Sequence, residues 1–171
     1  AAAFYKKLFQ NQEKLKGLER EKTEEEKKII KTILEKVTQF VKKHGGKPTT
    51  ITEDHIHILD HRKIDSEEHG GGYNLHNQSL YVTDGVPIDL WTKALIHEII
   101  HFNSFQSIEL VDPKAKALSS RRIGFEVHSD KKQKIFFRDI NEAITDELAD
   151  RFFDEHFEMS ENSKPFQGSY Y

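Results

Sequence analysis

The chain of 171 residues contains no cysteine. That absence excludes disulfide staples, a thiol nucleophile and every thiolate metal site. Proline and glycine are sparse, at four and nine residues, too few for a collagen-like or linker-dominated chain. No apolar run approaches the ~18 residues of a membrane span, so no membrane partner is expected. Neither sign of charge dominates. Twenty-six basic and 29 acidic residues leave a formal charge of -3 and a pI near 6.4. This balance excludes nucleic-acid binding through bulk positive charge. An apolar fraction of 36 % with 11 % aromatics excludes a disordered chain and supplies one core. What is abundant is histidine, at ten residues. With no thiolate available, any metal must be held by nitrogen and oxygen.

Ala1-Ala2-Ala3 opens the sequence without a methionine or a signal pattern, which leaves the natural start and the compartment open. The missing cysteines lean towards an intracellular setting. Residues 1–48 read as a helical segment packed on or adjoining the domain. Thr23 and Glu26 have capping-box spacing, and Ile29, Ile30, Ile33, Leu34, Val37, Phe40 and Val41 recur at helical spacing. Gly45-Gly46 and Pro48 end that helix. Residues 49–159 read as the main domain. Ile51, Ile56, Ile58 and Ile64 suggest a half-exposed strand that Gly70-Gly71-Gly72 breaks. Leu80–Val82 reads as a short strand, 87–105 as a helix, 121–138 as a hairpin and 140–158 as a last helix. Residues 160–171 form a polar tail. Its aromatic end, Phe166, Tyr170 and Tyr171, could fold over a cleft, although a loose end is the simpler reading. The expected class is α+β: a small mixed sheet with two functional helices, preceded by the N-terminal helical segment.

His97-Glu98-Ile99-Ile100-His101 is an HExxH pentapeptide on the helix over 87–105. Histidines four apart lie 40° apart and about 6 Å along the axis, so both can reach one ion. Glu98 falls on the neighbouring face, able to touch a water without ligating the metal. Such a pentapeptide can arise by chance, but this helix is apolar nearly all round. Its polar residues would be buried and need partners. The metzincin extension is excluded because Ser104 and Ser107 stand where Gly and His are required. Glu142 and Asp146, in Asn141-Glu142-Ala143-Ile144-Thr145-Asp146, share a stripe with Ala149 and Phe153. A cation for Glu142 and an imidazole N–H for Asp146 would satisfy both carboxylates. Asp139 and Glu142 also have capping-box spacing, so Glu142 could instead close the helix start.

HEIIH followed by NEAITD resembles the gluzincins, the thermolysin-like zinc peptidases, and most closely the minimal gluzincins, over about residues 75–158. The resemblance implies a zincin-like fold and one catalytic Zn²⁺ held by His97, His101 and Glu142. It implies Glu98 as general base, Asp146 orienting His97, and a peptide or protein as substrate. It further implies that Leu80–Val82 is the edge strand offered to an extended substrate. The pattern departs from the family in two ways. The gap from His101 to Glu142 is 41 positions, and no tyrosine lies between Tyr81 and Tyr170 to stabilise an oxyanion. Arg121, Arg122, His128, His156 and Tyr170 or Tyr171 are the candidates for that role. The rival reading is a non-catalytic zinc-binding regulatory or interaction module. In a third reading the histidines are hydrogen-bonded core residues without metal. His55, His57 and His61 alternate, but without a carboxylate partner they read as solvated strand histidines.

Overall fold

The computed structural model describes residues 12–64, 70–74, 78–112, 117–129 and 134–158, and within these the side chains of 12–14 and 108–121 are left aside. The class is α+β, with four α-helices and two sheets among the described residues. Helix α1 (Gln12–Leu18) leads through β1 (Glu19–Arg20) to α2 (Glu24–Lys43). Strands β2 (Ile56–Leu59), β3 (Gly71–Asn74) and β4 (Ser79–Thr83) precede helix α3 (Ile88–Asn103). Four more strands follow: β5 (Gln106–Asp112), β6 (Ala117–Ile123), β7 (Glu126–Ser129) and β8 (Lys134–Phe136). Helix α4 (Arg138–His156) closes the described chain.

The capping box read from sequence forms at α2. Thr23 Oγ1 accepts from Glu26 N at 3.2 Å, and Glu26 Oε2 accepts from Thr23 N at 2.7 Å. Ile30, Ile33, Val37, Phe40 and Val41 then bury one stripe of α2. They join the same core as Ile56, Ile58, Leu80, Val82, Trp91, Leu95, Ile99 and Phe152. Helix α2 is therefore one wall of the core. Phe40 meets Phe152 of α4 edge-on with ring centroids 5.0 Å apart.

The first sheet has the order β1-β2-β4-β3, with β2 and β4 parallel and the outer pairings antiparallel. Three expectations change here. The strand expected around Ile51–Ile64 is confined to Ile56–Leu59, because single 3₁₀ turns at Glu53–His55 and His61–Lys63 bound it. Its Ile56, Ile58 and Leu59 are fully buried, so period two is replaced by an apolar central strand. Gly71-Gly72 does not break the sheet but forms β3, paired with Val82 and Tyr81. Strand β4 consequently lies inside the sheet, and the edge belongs to β3.

The second sheet is antiparallel in the order β5-β6-β7-β8 and fills the span between α3 and α4. The expected antiparallel pair forms between β7 and β8, but its first arm starts later than expected, at Glu126. Ile123 and Val127 lie on different strands, with Gly124 and Phe125 in the turn between them. Strand β5 was hidden because Gln106-Ser107-Ile108-Glu109 carries too little apolar weight. The tail expectations lie outside the described residues. Among the described residues, no helix is long and apolar enough to cross a membrane.

A charge network fastens the N-terminal segment to the first sheet. Arg20 donates from Nη2 and Nη1 to the two Glu26 oxygens at 2.6 and 3.0 Å, and from Nε to Asp84 Oδ2. Asp84 Oδ1 also accepts from His61 N at 2.8 Å. Burial raises the Glu26 carboxyl, but hydrogen bonds from Arg20 and Thr23 outweigh it and hold the pKa below its ordinary 4.5. A carboxyl depressed in the fold stabilises fully above its unfolded pKa and loses that contribution as pH falls towards the folded value. Thermal unfolding should therefore become easier below about pH 4.5, and Glu26→Gln should flatten this acid limb. Arg20→Ala should cost roughly 3 kcal/mol at neutral pH, because it strands a buried carboxylate. Denaturant titration of the three chains measures both effects.

Candidate metal centre

Helix α3 is committed to burial by its own sequence. Trp91, Leu95, Ile96, Ile99 and Phe102 are almost fully buried, and Glu98 and His101 are buried with them, each at 8 % exposure. Polar side chains at such depth must find partners. Helix α4 runs antiparallel across α3 and supplies them. Its Asn141, Thr145, Ala149, Phe152 and Phe153 are buried, and Glu142 and Asp146 border that stripe facing α3.

Three atoms converge between the helices. His97 Nε2 and His101 Nε2 are 2.9 Å apart, and Glu142 Oε2 lies 3.2 Å from each. Asp146 Oδ1 lies 2.7 Å from His97 Nδ1 on the far side of the ring. With its Nδ1–H donated in a hydrogen bond to Asp146 and Nε2 deprotonated, His97 presents an Nε2 lone pair towards the second imidazole and the carboxylate. Three acceptors pointing at one another call for a shared cation. Tetrahedral zinc, with bonds of ~2.0–2.1 Å, sets its ligand atoms roughly 3.3 Å apart, close to the spacing seen here. His101 Nδ1 is buried with no hydrogen-bond partner among the described residues, so that ring is held from its Nε2 side. The donor set fits a metal.

Glu142 does not close its helix. The residue before α4 is Phe137, in the left-handed region at φ 61°, with no side-chain cap. The carboxylate is thereby free to cross to the histidines. Burial alone would raise its pKa, but the contacts to His101 and His97 outweigh burial and hold it well below the usual carboxylate range. His97 moves in the opposite sense. Burial disfavours its charge, yet Asp146 and Glu142 outweigh that and push its pKa up to about 10. Glu98 has no such anchor. Burial dominates there and raises its carboxyl despite the nearby imidazoles.

The turn between β6 and β7 packs against the start of α4, beside Glu142. Asn141 is buried, and its Oδ1 accepts from Phe125 N at 2.9 Å. Gly124, at φ +56°, comes so close that a Cβ there would sit 2.3 Å from Asn141 Oδ1. A side chain at Gly124 would thus be strained in backbone and in space.

A further rung escaped sequence reading. Lys93 Nζ donates to Asp150 Oδ1 at 2.6 Å and lies 5.0 Å from the centre of the Phe153 ring. Asp150 itself lies on the exposed side of its helix. Residues 93, 97 and 101 of α3 therefore meet 150, 146 and 142 of α4, one helical turn per rung. The signal was available as matched i, i+4 spacing, but only an antiparallel pairing gives it meaning.

The other sequence candidates are dispersed. His57 pairs with Glu19 at 2.7 Å and stacks on Tyr81, His55 faces Thr52, and His61 faces Asp84. Asp60, His61 and Asp84 also cluster, but Arg62 holds Asp60 and Arg20 holds Asp84. Of the residues considered for an oxyanion, His128 pairs with Glu126 at 2.6 Å. Arg122 donates to Gly124 O. His156 stands 14 residues beyond Glu142, about 21 Å along α4. Arg121, Tyr170 and Tyr171 lie outside the described side chains. The chain matches no described protein family, no curated protein and no solved structure.

Asp146→Asn should weaken zinc affinity by roughly 10–100-fold, because it loosens the first imidazole without removing a ligand. Lys93→Met should weaken it by no more than about threefold, because Asp150 is half exposed and such pairs contribute little. Competition with a chromophoric chelator reads both.

Proposed function

We propose that the protein is a zinc-dependent metalloendopeptidase of gluzincin type, built on a zincin-like core and acting on peptide or protein substrates. One observation carries this reading. Two imidazole nitrogens and one carboxylate oxygen converge within 3.2 Å, with a buried carboxylate, Glu98, next in sequence to the first histidine. When bound to His97, His101 and Glu142, zinc supplies a Lewis acid and lowers the pKa of a water towards neutrality.

The chain's own residues do the rest. Asp146 fixes the His97 ring and its tautomer through Nδ1. Glu98 accepts a proton as the water oxygen attacks the scissile carbonyl carbon. It then gives that proton to the amine as the C–N bond breaks. Among the described strands β3 lies at one edge of the first sheet, where an extended substrate can add through main-chain hydrogen bonds.

The non-catalytic zinc module is favoured by one observation. Among the described side chains considered for oxyanion stabilisation, His128, Arg122 and His156 are all engaged or distant. The experiment that separates the readings is zinc determination together with digestion of a proteome-derived peptide library. Glu98→Gln should retain one equivalent of zinc and abolish turnover, since an amide cannot accept the proton. Glu142→Gln should lose zinc, and activity with it. Glu147→Gln, on the exposed face of α4, should change neither. Zinc bound stoichiometrically by a wild-type chain that cleaves nothing would establish the module instead.

A further inference from the structure

Strand β3 lies along α3 with matched spacing. Tyr73 packs edge-on against Phe102, ring centroids 5.2 Å apart, while Gly71, two residues earlier, faces Glu98. Two strand residues rise about 6.7 Å and four helical residues about 6 Å, so the two contacts occur in register. A clasp holds that register. Tyr73 Oη donates to Gln106 Oε1 at 3.1 Å, and Gln106 Nε2 donates to Phe102 O at 3.1 Å. The strand is thus tied to the last turn of the helix that carries both histidines.

At Gly71 the fit leaves no room for a side chain. A Cβ there would lie 2.6 Å from Glu98 Cγ and 2.9 Å from Oε1. The first contact is with the stem of the carboxylate and not with a flexible tip. Gly71 has no positive φ, so the glycine is required by this approach rather than by backbone conformation. Glu98 is buried on one side by its own helix and on the other by the bare backbone of β3.

We propose that Gly71 is the positioning residue for Glu98: its missing side chain lets edge strand β3 press on the Glu98 stem and hold the carboxylate in one orientation. The Tyr73–Gln106 clasp fixes which strand residue meets Glu98. The positioning role rests on the proposed peptidase reading, but the contact itself can be measured without any activity.

The test is a double-mutant cycle on thermal unfolding of the full chain with zinc supplied. Gly71→Ala should lower the melting temperature by about 5 °C, as an overpacked contact in a chain of this size does. In a Glu98→Ala background, which removes Cγ and the carboxylate, the same substitution should cost less than about 1 °C. Folding of Gly71→Ala only in the Glu98→Ala background is the same result in extreme form. Equal costs in both backgrounds, or failure to fold in both, overturn the proposal. With a cleaved library peptide, Gly71→Ala should lower kcat at least tenfold while KM and zinc affinity stay within about threefold. Unchanged kcat in a folded, destabilised Gly71→Ala chain overturns the positioning role. If the wild-type chain cleaves nothing, the peptidase reading fails and the positioning role fails with it, while the cycle still decides the contact.

Discussion

Polar groups withdrawn from water on one helix must be satisfied by another, and the pairing of α3 with α4 meets that demand. Glu98 and His101 are buried among Trp91, Leu95, Ile99 and Phe102, and His97 is half-buried beside them. Helix α4 brings two half-buried carboxylates, Glu142 and Asp146, against the histidines. The converging imidazoles and carboxylate form a donor set that a divalent cation would satisfy.

The rest of the architecture delivers those helices to one another. The first sheet and α2 form the apolar floor on which α3 lies. The second sheet spans the 41 positions from His101 to Glu142 and ends in the Gly124–Asn141 contact and the left-handed Phe137. A left-handed residue other than glycine is costly and persists where its surroundings fix it. Here it turns the chain from β8 into α4 and leaves the first turn of the helix uncapped. That is what frees the Glu142 side chain.

The grouping of His97, His101 and Glu142 was legible in the sequence because it obeys local rules. His97, Glu98 and His101 need only helical geometry to be read together, and Glu142 with Asp146 likewise. The α2 boundaries were legible for the same reason, since Thr23, Glu26 and Gly45-Gly46 act on their near neighbours. Tertiary context decided what could not be read. Gly70-Gly71-Gly72 reads as a break on propensity, yet Gly71 and Gly72 pair with β4, and at Gly71 the neighbouring Glu98 leaves no room for a Cβ. Buried Ile56, Ile58 and Leu59 lost their alternation because both faces of β2 are covered. Asp150 is exposed, and its pairing with Lys93 shows only once α4 is laid against α3.

The ladder between α3 and α4 makes their alignment discrete. Its rungs recur every four residues, about 6 Å, so sliding one helix along the other by half that distance satisfies no rung. A slip by a whole turn would set His97 against Glu142 and Lys93 against Asp146, leaving His101 without a carboxylate. Only one setting fills every rung, and no intermediate setting is electrostatically tolerable. Packed helices with such spacing behave as a latch with separate notches, not as a sliding contact. Gradual loosening of the two helices is thus opposed until a whole notch is crossed, and the three converging atoms are then lost together.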